Sequence, residues 1–109
     1  MPQTVRFHSA APCLSVGDMS RSLEFYRRVL GFAPGHLEGD PPVYATLHRD
    51  GVVVHLALDH DGGTAGSSRC CVFVANVDAL YEACVAAGAT ITRPIEDSPY
   101  GLRDFNLAD

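Results

Sequence analysis

In the first half of the chain, a short apolar run is followed by apolar residues at helical spacing. Ala11 to Val16 is apolar and bounded by turn-forming residues, which predicts a strand. Asp18 then offers a side chain that can cap a helix, and apolar residues recur at helical spacing from Met19 to Leu30. Gly31 follows where a helix would end. The pattern therefore predicts a strand followed by an amphipathic helix.

A hairpin is predicted next along the chain. Residues 34–42 are rich in glycine and proline, which indicates a loop-rich connection with room for a short strand. Val43 to His48 alternates between apolar and polar residues, and Val52 to Leu58 is rich in β-branched residues. Asp50-Gly51 between them is a strong hairpin signal. A two-residue turn there would place Tyr44, in the first strand, beside His55 in the second.

The second half starts the same pattern again after a polar, glycine-rich linker at residues 59–68. The predicted elements after the linker are, in order, a strand at Cys70 to Val74, a helix capped by Asn76 or Asp78 and ended by Gly88, and strands at Ala89 to Thr92 and Tyr100 to Leu107. The tandem order of similar elements indicates two related modules.

The restart is an internal repeat with an offset of about 58 residues. The matching positions are Cys13 with Cys71, Val16 with Val74, Asp18 with Asn76, and Glu24 with Glu82.

We therefore predict one α+β domain over residues 1–109, with module one at about 8–58, the linker at 59–68 and module two at about 69–109. Two tandem βαβββ-type modules would form one mixed, curved sheet with helices on the convex side. The concave face would stay free for a ligand.

Composition narrows the range of functions. Apolar residues make up 47% and charged residues 19% of the chain, which is typical of a folded domain. The formal net charge of −5 argues against nucleic acid or an anionic membrane as a partner. We expect a cytoplasmic protein, because we find no signal peptide, no membrane-length apolar run and no disulfide framework among the four cysteines.

Three motifs in a fixed order cover nearly the whole chain. They are Leu14 to Phe32 with its Val-x-Asp and Ser-x-x-Phe-Tyr elements, Val74 to Leu80 followed by Ala87-Gly88-Ala89, and Tyr100 to Phe105 followed by Leu107-Ala108-Asp109. Together they resemble the vicinal oxygen chelate superfamily, which includes glyoxalase I, bleomycin resistance proteins and extradiol dioxygenases. Members usually continue into a final strand that ends in a glutamate metal ligand. The last strand is missing here, either because the protein continues beyond Asp109, which we favour, or because the domain lacks it.

The resemblance also implies where a metal would bind. The family's ligand positions fall on Ala11, His55 and Arg69, and the fourth lies beyond the end of the sequence. Alanine has no donor atom and arginine repels a divalent cation, so only His55 can be a ligand. Catalytic sites normally supply about three protein ligands. We therefore expect no metal cofactor, although two other histidines lie near these strands, at no family ligand position: His8 and His48.

Strand alternation predicts which side chains line the concave face. The candidate ligand-binding residues are Cys13, Tyr44, His55, Arg69, Cys71 and Phe73. This surface would suit a flat or weakly anionic organic molecule. A structural role is the alternative for each: a hydrogen-bonded histidine at His55, a surface ion pair at Arg69 and a core position at Phe73. No nucleophile arrangement is evident, so we assign no catalytic residue.

The leading prediction is a metal-free protein that binds or sequesters a small molecule, similar to bleomycin resistance proteins. The resemblance implies a homodimer with the ligand groove between subunits. One alternative is a metal-dependent lyase, isomerase or dioxygenase of the same superfamily. Another is a non-catalytic regulatory or assembly domain. The acidic net charge suits a cationic ligand, whereas Arg69 suits an anionic one, so the ligand is not named.

Overall fold

A computed structural model describes residues 4–61 and 63–109. Within these residues the chain forms two helices and six strands, which confirms the α+β class. The elements are β1 Cys13–Val16, α1 Met19–Arg28, β2 Ala33–Glu38, β3 Tyr44–Arg49, β4 Val52–Leu58, α2 Val77–Ala86, β5 Thr90–Asp97 and β6 Arg103–Ala108. The first five elements are the predicted βαβββ order of module one.

Module one forms a four-stranded sheet in the order β1-β4-β3-β2. β1 runs parallel to β4, and the other pairs are antiparallel. Arg49 pairs with Val52, so the β3–β4 hairpin has the predicted two-residue turn at Asp50-Gly51. In that turn Asp50 takes a φ of 51°, in the left-handed region that aspartate tolerates better than most residues. This local turn fixes the register of the centre of the sheet.

The glycine- and proline-rich segment after α1 forms a regular edge strand, β2, six residues long. An edge strand tolerates Pro34 because one side of its backbone has no neighbouring strand. Gly35 allows close approach to β3, since a Cβ atom there would lie 2.9 Å from the Thr46 hydroxyl. The backbone N–H of His36 donates to that same hydroxyl at 2.8 Å. β2 is therefore held to β3 partly by the side chain of Thr46.

The core of module one lies between α1 and one face of the sheet. Asp18 caps the helix by accepting a hydrogen bond from the Arg21 N–H at 3.1 Å. The helix ends at Arg28, two residues before the predicted end at Leu30, and Gly31 follows with a φ of 70°. The buried cluster consists of Leu14, Val16, Met19, Tyr26, Phe32, Ala45, Leu47, Val54 and Leu56.

Module two differs from module one at its first predicted strand. Residues 70–74 are coil, contrary to the strand predicted from their apolar pattern. The equivalent strand of module one, β1, is held by backbone pairing to β4. By order in the repeat, β5 and β6 correspond to β2 and β3, and no strand in the described ranges corresponds to β4. The strands thus divide into a four-stranded sheet and a two-stranded β5–β6 sheet.

The β5–β6 hairpin is longer than predicted. β5 extends beyond its predicted end at Thr92 to Asp97, so Glu96 and Asp97 lie on the strand. Arg93 bridges Glu96 and Asp104, with N–O distances of 2.8 and 2.6 Å. The helix α2 packs on this hairpin through an edge-to-face contact between Tyr81 and Phe105.

Within residues 4–61 and 63–109, polar contacts join module one to module two and to the linker. The Arg28 guanidinium donates to the Ala87 carbonyl at 2.6 Å, and the Ser22 hydroxyl donates to the Asp109 carboxylate at 2.7 Å. The Ser15 N–H donates to the hydroxyl of Ser68, in the linker, at 3.1 Å. In the described ranges, neither helix is long and apolar enough to span a bilayer.

Candidate functional site

The sheet of module one has a second face, on the side away from α1. Strand register places eight side chains on this surface, which we call the open face: Cys13, Ser15, Tyr44, Thr46, His48, Val53, His55 and Ala57. All eight are at least partly exposed, whereas the residues that alternate with them are buried or partly buried, except for Arg49 at the end of β3, which is exposed. The predicted division of β1 and β4 into a core face and a free face is therefore present.

Tyr44 and His55 form a pair at the centre of the open face. The Tyr44 hydroxyl lies 2.6 Å from His55 Nδ1, and the two rings meet edge to face at 89°. Tyr44 stands opposite Ala57, whose methyl group leaves room for the tyrosine ring to lean across β4. The predicted neighbourhood of Tyr44 and His55 is thus observed, and it depends on the hairpin register.

Cys13 lies on the same face as this pair and carries a thiol. Its Cα is the register partner of His55 across the β1–β4 boundary, and its side chain is exposed. Partial burial raises the pKa of Tyr44, and the nearby Cys13 and the charge of Glu38 raise this pKa further. Tyr44 therefore keeps its proton at neutral pH.

One end of the open face is closed by the segment predicted as a linker. The Thr64 N–H and hydroxyl both donate to the Asp59 carboxylate, at 2.7 and 2.6 Å. The same Thr64 hydroxyl lies 2.6 Å from the Ser15 hydroxyl. Sequence reasoning missed these contacts because glycine content suggested only a connection. An aspartate followed by a threonine in a turn was the available signal.

The three candidates from module two lie apart from this group. Arg69, Cys71 and Phe73 are exposed in the coil after the linker. Within residues 4–61 and 63–109, no hydrogen bond, ion pair or ring contact joins any of them to His55. The predicted strand that would have carried them is not formed. Three of the six candidates, Cys13, Tyr44 and His55, are brought together by the fold.

The residues at the family's metal positions do not fit a metal site. His55 has an imidazole, but Ala11 supplies no donor and Arg69 carries a positive charge. Among the described residues, Cys13 is the donor that strand register pairs with His55, which gives two donors where catalytic sites supply about three. Across the described part of the chain, no three histidine, cysteine or acidic side chains group together around a possible ion.

Two shallow clefts lie outside the open face. One of about 250 Å³ separates α1 from the end of α2, and it is lined by Phe25, Arg28 and Ala89 among others. The other, of about 270 Å³, lies between α1 and β2. Neither contains a candidate ligand residue. We base the candidate site on the open face because its polar groups converge there, although a single chain leaves it open to solvent.

Comparison with known proteins gives the family. The model of the Glyoxalase/Bleomycin resistance protein/Dioxygenase superfamily matches residues 6–109. No curated protein matches. The chain is similar in structure to a bleomycin-binding protein from bleomycin-producing Streptomyces verticillus, complexed with copper(II)-bleomycin. That likeness has a TM-score of 0.82 and 25% identity over 97% of this chain and 90% of the other.

Two more solved structures support the same fold. A superfamily member from Sphaerobacter thermophilus has a TM-score of 0.79 and 25% identity, covering 95% of this chain and 90% of its own. A bleomycin resistance determinant encoded on the transposon Tn5 has a TM-score of 0.78 and 19% identity, covering 94% of this chain and 89% of its own. At that lower identity the likeness shows the fold alone.

Proposed function

The chain belongs to the glyoxalase/bleomycin resistance protein/dioxygenase superfamily, and from that premise we propose that it binds and sequesters a small organic molecule on its open face, without a metal. The observation that carries this proposal is the group of Cys13, Tyr44 and His55. These residues combine a thiol, an aromatic ring and an imidazole on a surface whose other side chains, apart from Val53, are small or polar.

The physical character of the open face supports binding. Ligand sites combine apolar contact area with a few polar groups that fix orientation. Here the Tyr44 ring and Val53 supply apolar surface, and the Tyr44 hydroxyl and His55 imidazole supply the polar groups. In the described part of the chain, the hydrogen bond to Tyr44 uses one His55 ring nitrogen, and the other is left for a ligand. The structural likeness to a bleomycin-binding protein supports a binding role over a catalytic one.

A homodimer would turn this open surface into a groove. Residues 72–74 expose apolar side chains, with Phe73 76% accessible. The radius of gyration is 15.8 Å, whereas a compact domain of this length has about 13 Å. Exposed apolar surface of this kind marks an interaction site. We propose that a second copy covers it and that Arg69, Cys71 and Phe73 line the groove from the partner.

The dimer is tested by light scattering after gel filtration. Phe73→Ser should shift the mass from two chains towards one, because it removes the most exposed aromatic ring of the segment. Val85→Ser, at another exposed apolar residue, on α2, is the matched control and should leave the mass unchanged. A monomer in the unmodified protein would contradict the dimer.

Binding is tested by calorimetry and thermal shift with metal-free and copper(II)-bleomycin. A ligand at 100 times its dissociation constant stabilises the folded state by about 2.7 kcal/mol. The double substitution His55→Ala with Arg69→Ala should abolish most of that shift while the protein stays folded. The control, His36→Ala with Arg21→Ala, changes the same residue types on β2 and α1. Unchanged affinity in the first variant would remove both residues from the site.

The metal-free part of the proposal has its own test. The protein is incubated with Fe(II), Mn(II), Ni(II) and Zn(II), desalted and subjected to elemental analysis. Near-stoichiometric retention of one metal would contradict the proposal and favour a metal-dependent enzyme, with His55 as the first ligand to substitute. If no metal is retained, the open face stays a site for an organic molecule, and a screen of organic compounds follows.

A further inference from the structure

We propose that Asp59 and Thr64 fix the Ser15 hydroxyl as a hydrogen-bond acceptor, so that the open face selects flat organic molecules that carry a protonated nitrogen group such as an amidinium. This inference rests on the proposed function and deepens it by naming a ligand class. In it, Asp59 and Thr64 are positioning residues that act on the ligand through Ser15.

The direction of the hydrogen bonds follows from the chemistry of the three side chains. An ionised carboxylate can only accept, so the Thr64 hydroxyl, 2.6 Å from the Asp59 carboxylate, donates to it. A hydroxyl has one proton, so Thr64 cannot also donate to the Ser15 hydroxyl, which lies 2.6 Å away. Ser15 is therefore the donor in that contact. Its only hydroxyl proton is used, and its oxygen presents lone pairs to a ligand.

Backbone groups hold this chain of hydrogen bonds in place. The Thr64 N–H donates to the Asp59 carboxylate at 2.7 Å, and the Asp61 N–H donates to its other oxygen at 3.1 Å. At the opposite end, the Ser15 N–H donates to the Ser68 hydroxyl at 3.1 Å. Hydrogen bonds in a chain polarise one another, and those that end on a charge are stronger. The Ser15 oxygen is thus an acceptor strengthened by a full negative charge.

Ser15 lies beside the apolar part of the open face. Strand register places Ser15, Ala57 and Tyr44 in one row across β1, β4 and β3. Neighbouring strands are about 4.8 Å apart, so Ser15 and Tyr44 flank the small Ala57 from strands about 10 Å apart. A flat ring in this space can contact Tyr44 and direct a substituent to the Ser15 oxygen.

Negative charge lies at both ends of this row. Asp59 lies beyond Ser15 at one end. At the other end, Glu38 is the register partner of Tyr44 on β2, and its charge raises the pKa of Tyr44. In the part of the chain that the structure describes, none of the eight open-face residues is an arginine, and Arg69 lies in the coil after the linker. The row therefore favours a cation that donates hydrogen bonds.

The experiment compares two probes that share one flat ring. Benzamidine is a cation with N–H donors, and benzoate is an anion with acceptors only. Each is titrated into the isotope-labelled protein, and NMR shifts of the Ser15 and Ala57 amides report binding at this row. We expect benzamidine to bind at least about tenfold more tightly than benzoate, the size of one hydrogen bond to a charged group.

Substitution of Thr64 tests whether the preference comes from the hydrogen-bond chain. Thr64→Val keeps the side-chain shape but frees the Ser15 proton, so benzoate should bind more tightly, benzamidine more weakly, and most of the preference should be lost. A gain in benzoate affinity is not expected from a merely destabilised protein. Thr64→Ser restores the hydroxyl and should restore the preference. Thr92→Val, at an exposed threonine on β5, is the matched control and should keep it.

Equal affinities for the two probes in the unmodified protein would overturn the inference and leave the proposed function standing. A preference that survives Thr64→Val would also overturn it, because the selectivity would then come from net charge alone. If neither probe binds the open face at millimolar concentration, the inference is overturned as well, whereas the bleomycin titration decides the proposed function separately.

Discussion

The two modules start with the same sequence pattern and reach different states. Leu14 and Val16 in β1 are 8% and 5% exposed, whereas their repeat equivalents Val72 and Val74 are 42% and 43% exposed. The local sequences are similarly apolar. The difference is the neighbour: β1 is hydrogen-bonded to β4, and no described strand pairs with residues 70–74. Burial of a strand is thus decided by its partner and only secondarily by its own composition.

The helices show the same contrast on a smaller scale. Asp18 has an extended backbone and caps α1 through its side chain. The equivalent Asn76 precedes α2 in a left-handed conformation, with a φ of 57°, and its side chain makes no capping bond. Asparagine tolerates this region better than most residues. Module one is therefore held by a core and a cap, and module two by its hairpin and ion pairs.

Truncation in the core of module one should have the largest effect. Leu56 is fully buried between α1 and the sheet, so Leu56→Ala should lower the free energy of unfolding by about 3 kcal/mol. The control Leu102→Ala, at a residue 46% exposed before β6, should have little effect. Urea unfolding measures both. Equal losses would mean that the stability of the chain does not reside mainly in module one.

The ionic centre of module two should make stability depend on pH. Hydrogen bonds from Tyr100, Arg93 and Ser98 lower the pKa of Asp104 to about 2, from an ordinary value of 3.8. The folded state therefore binds fewer protons than the unfolded state, and stabilisation present above pH 4 should be lost as the pH falls towards 2.

Asp104→Asn tests this pH dependence. It should lower the melting temperature by a few degrees at pH 7 and remove part of the fall in stability between pH 4 and 2. Asp61→Asn, in the exposed linker, is the control. If the stability of both variants changes with pH as that of the unmodified protein does, the Asp104 network does not contribute to the stability of module two.

The aromatic contact of module two should contribute less than the core of module one. Tyr81 and Phe105 meet edge to face with ring centroids 5.0 Å apart. Phe105→Leu keeps most of the apolar volume and should cost about 1 kcal/mol through loss of that geometry. Hydrogen exchange should show faster opening of α2 with β2 unchanged. Uniform acceleration across both modules would mean that they unfold as one unit.

The contact between modules should have the smallest effect. Arg28 donates to a carbonyl at the C-terminal end of α2, where a positive charge is favourable. Arg28→Ala should reduce stability by about 0.5 kcal/mol, and less at high salt. Chemical unfolding in low and high salt measures this. A loss of several kcal/mol would show that the modules depend on each other far more than their contrasting cores suggest.

The features predictable from sequence were those with local causes. The strand at Cys13–Val16, the helix after Asp18 and the hairpin at Asp50-Gly51 each depend on residues close in the chain. Segment 70–74 needs a partner far away in sequence, and its apolar pattern carries no information on whether one is present. β2 was not predicted as a full strand because Pro34 and Gly35 are tolerated only at an edge.

The same distinction applies to the candidate site. Tyr44 and His55 were placed together by the hairpin turn, and Cys13 by alternation along β1. The predicted positions of Arg69 and Phe73 depended on a strand that does not form. Their part in binding remains a prediction about the dimer. The Thr64 contact with Ser15 depends on how the linker folds back, which alternation does not describe.

The anchored linker determines where module two starts. Asp59 donates its N–H to the Val16 carbonyl at 2.9 Å, and Ser68 accepts from the Ser15 N–H, so both ends of the segment lie on β1. The entropic cost of closing this loop is therefore already included in the folding of module one. Residues 69–74 therefore leave from a fixed point on β1. If a second chain covers them, as proposed, we expect assembly and ligand binding to be thermodynamically linked, each raising the affinity of the other.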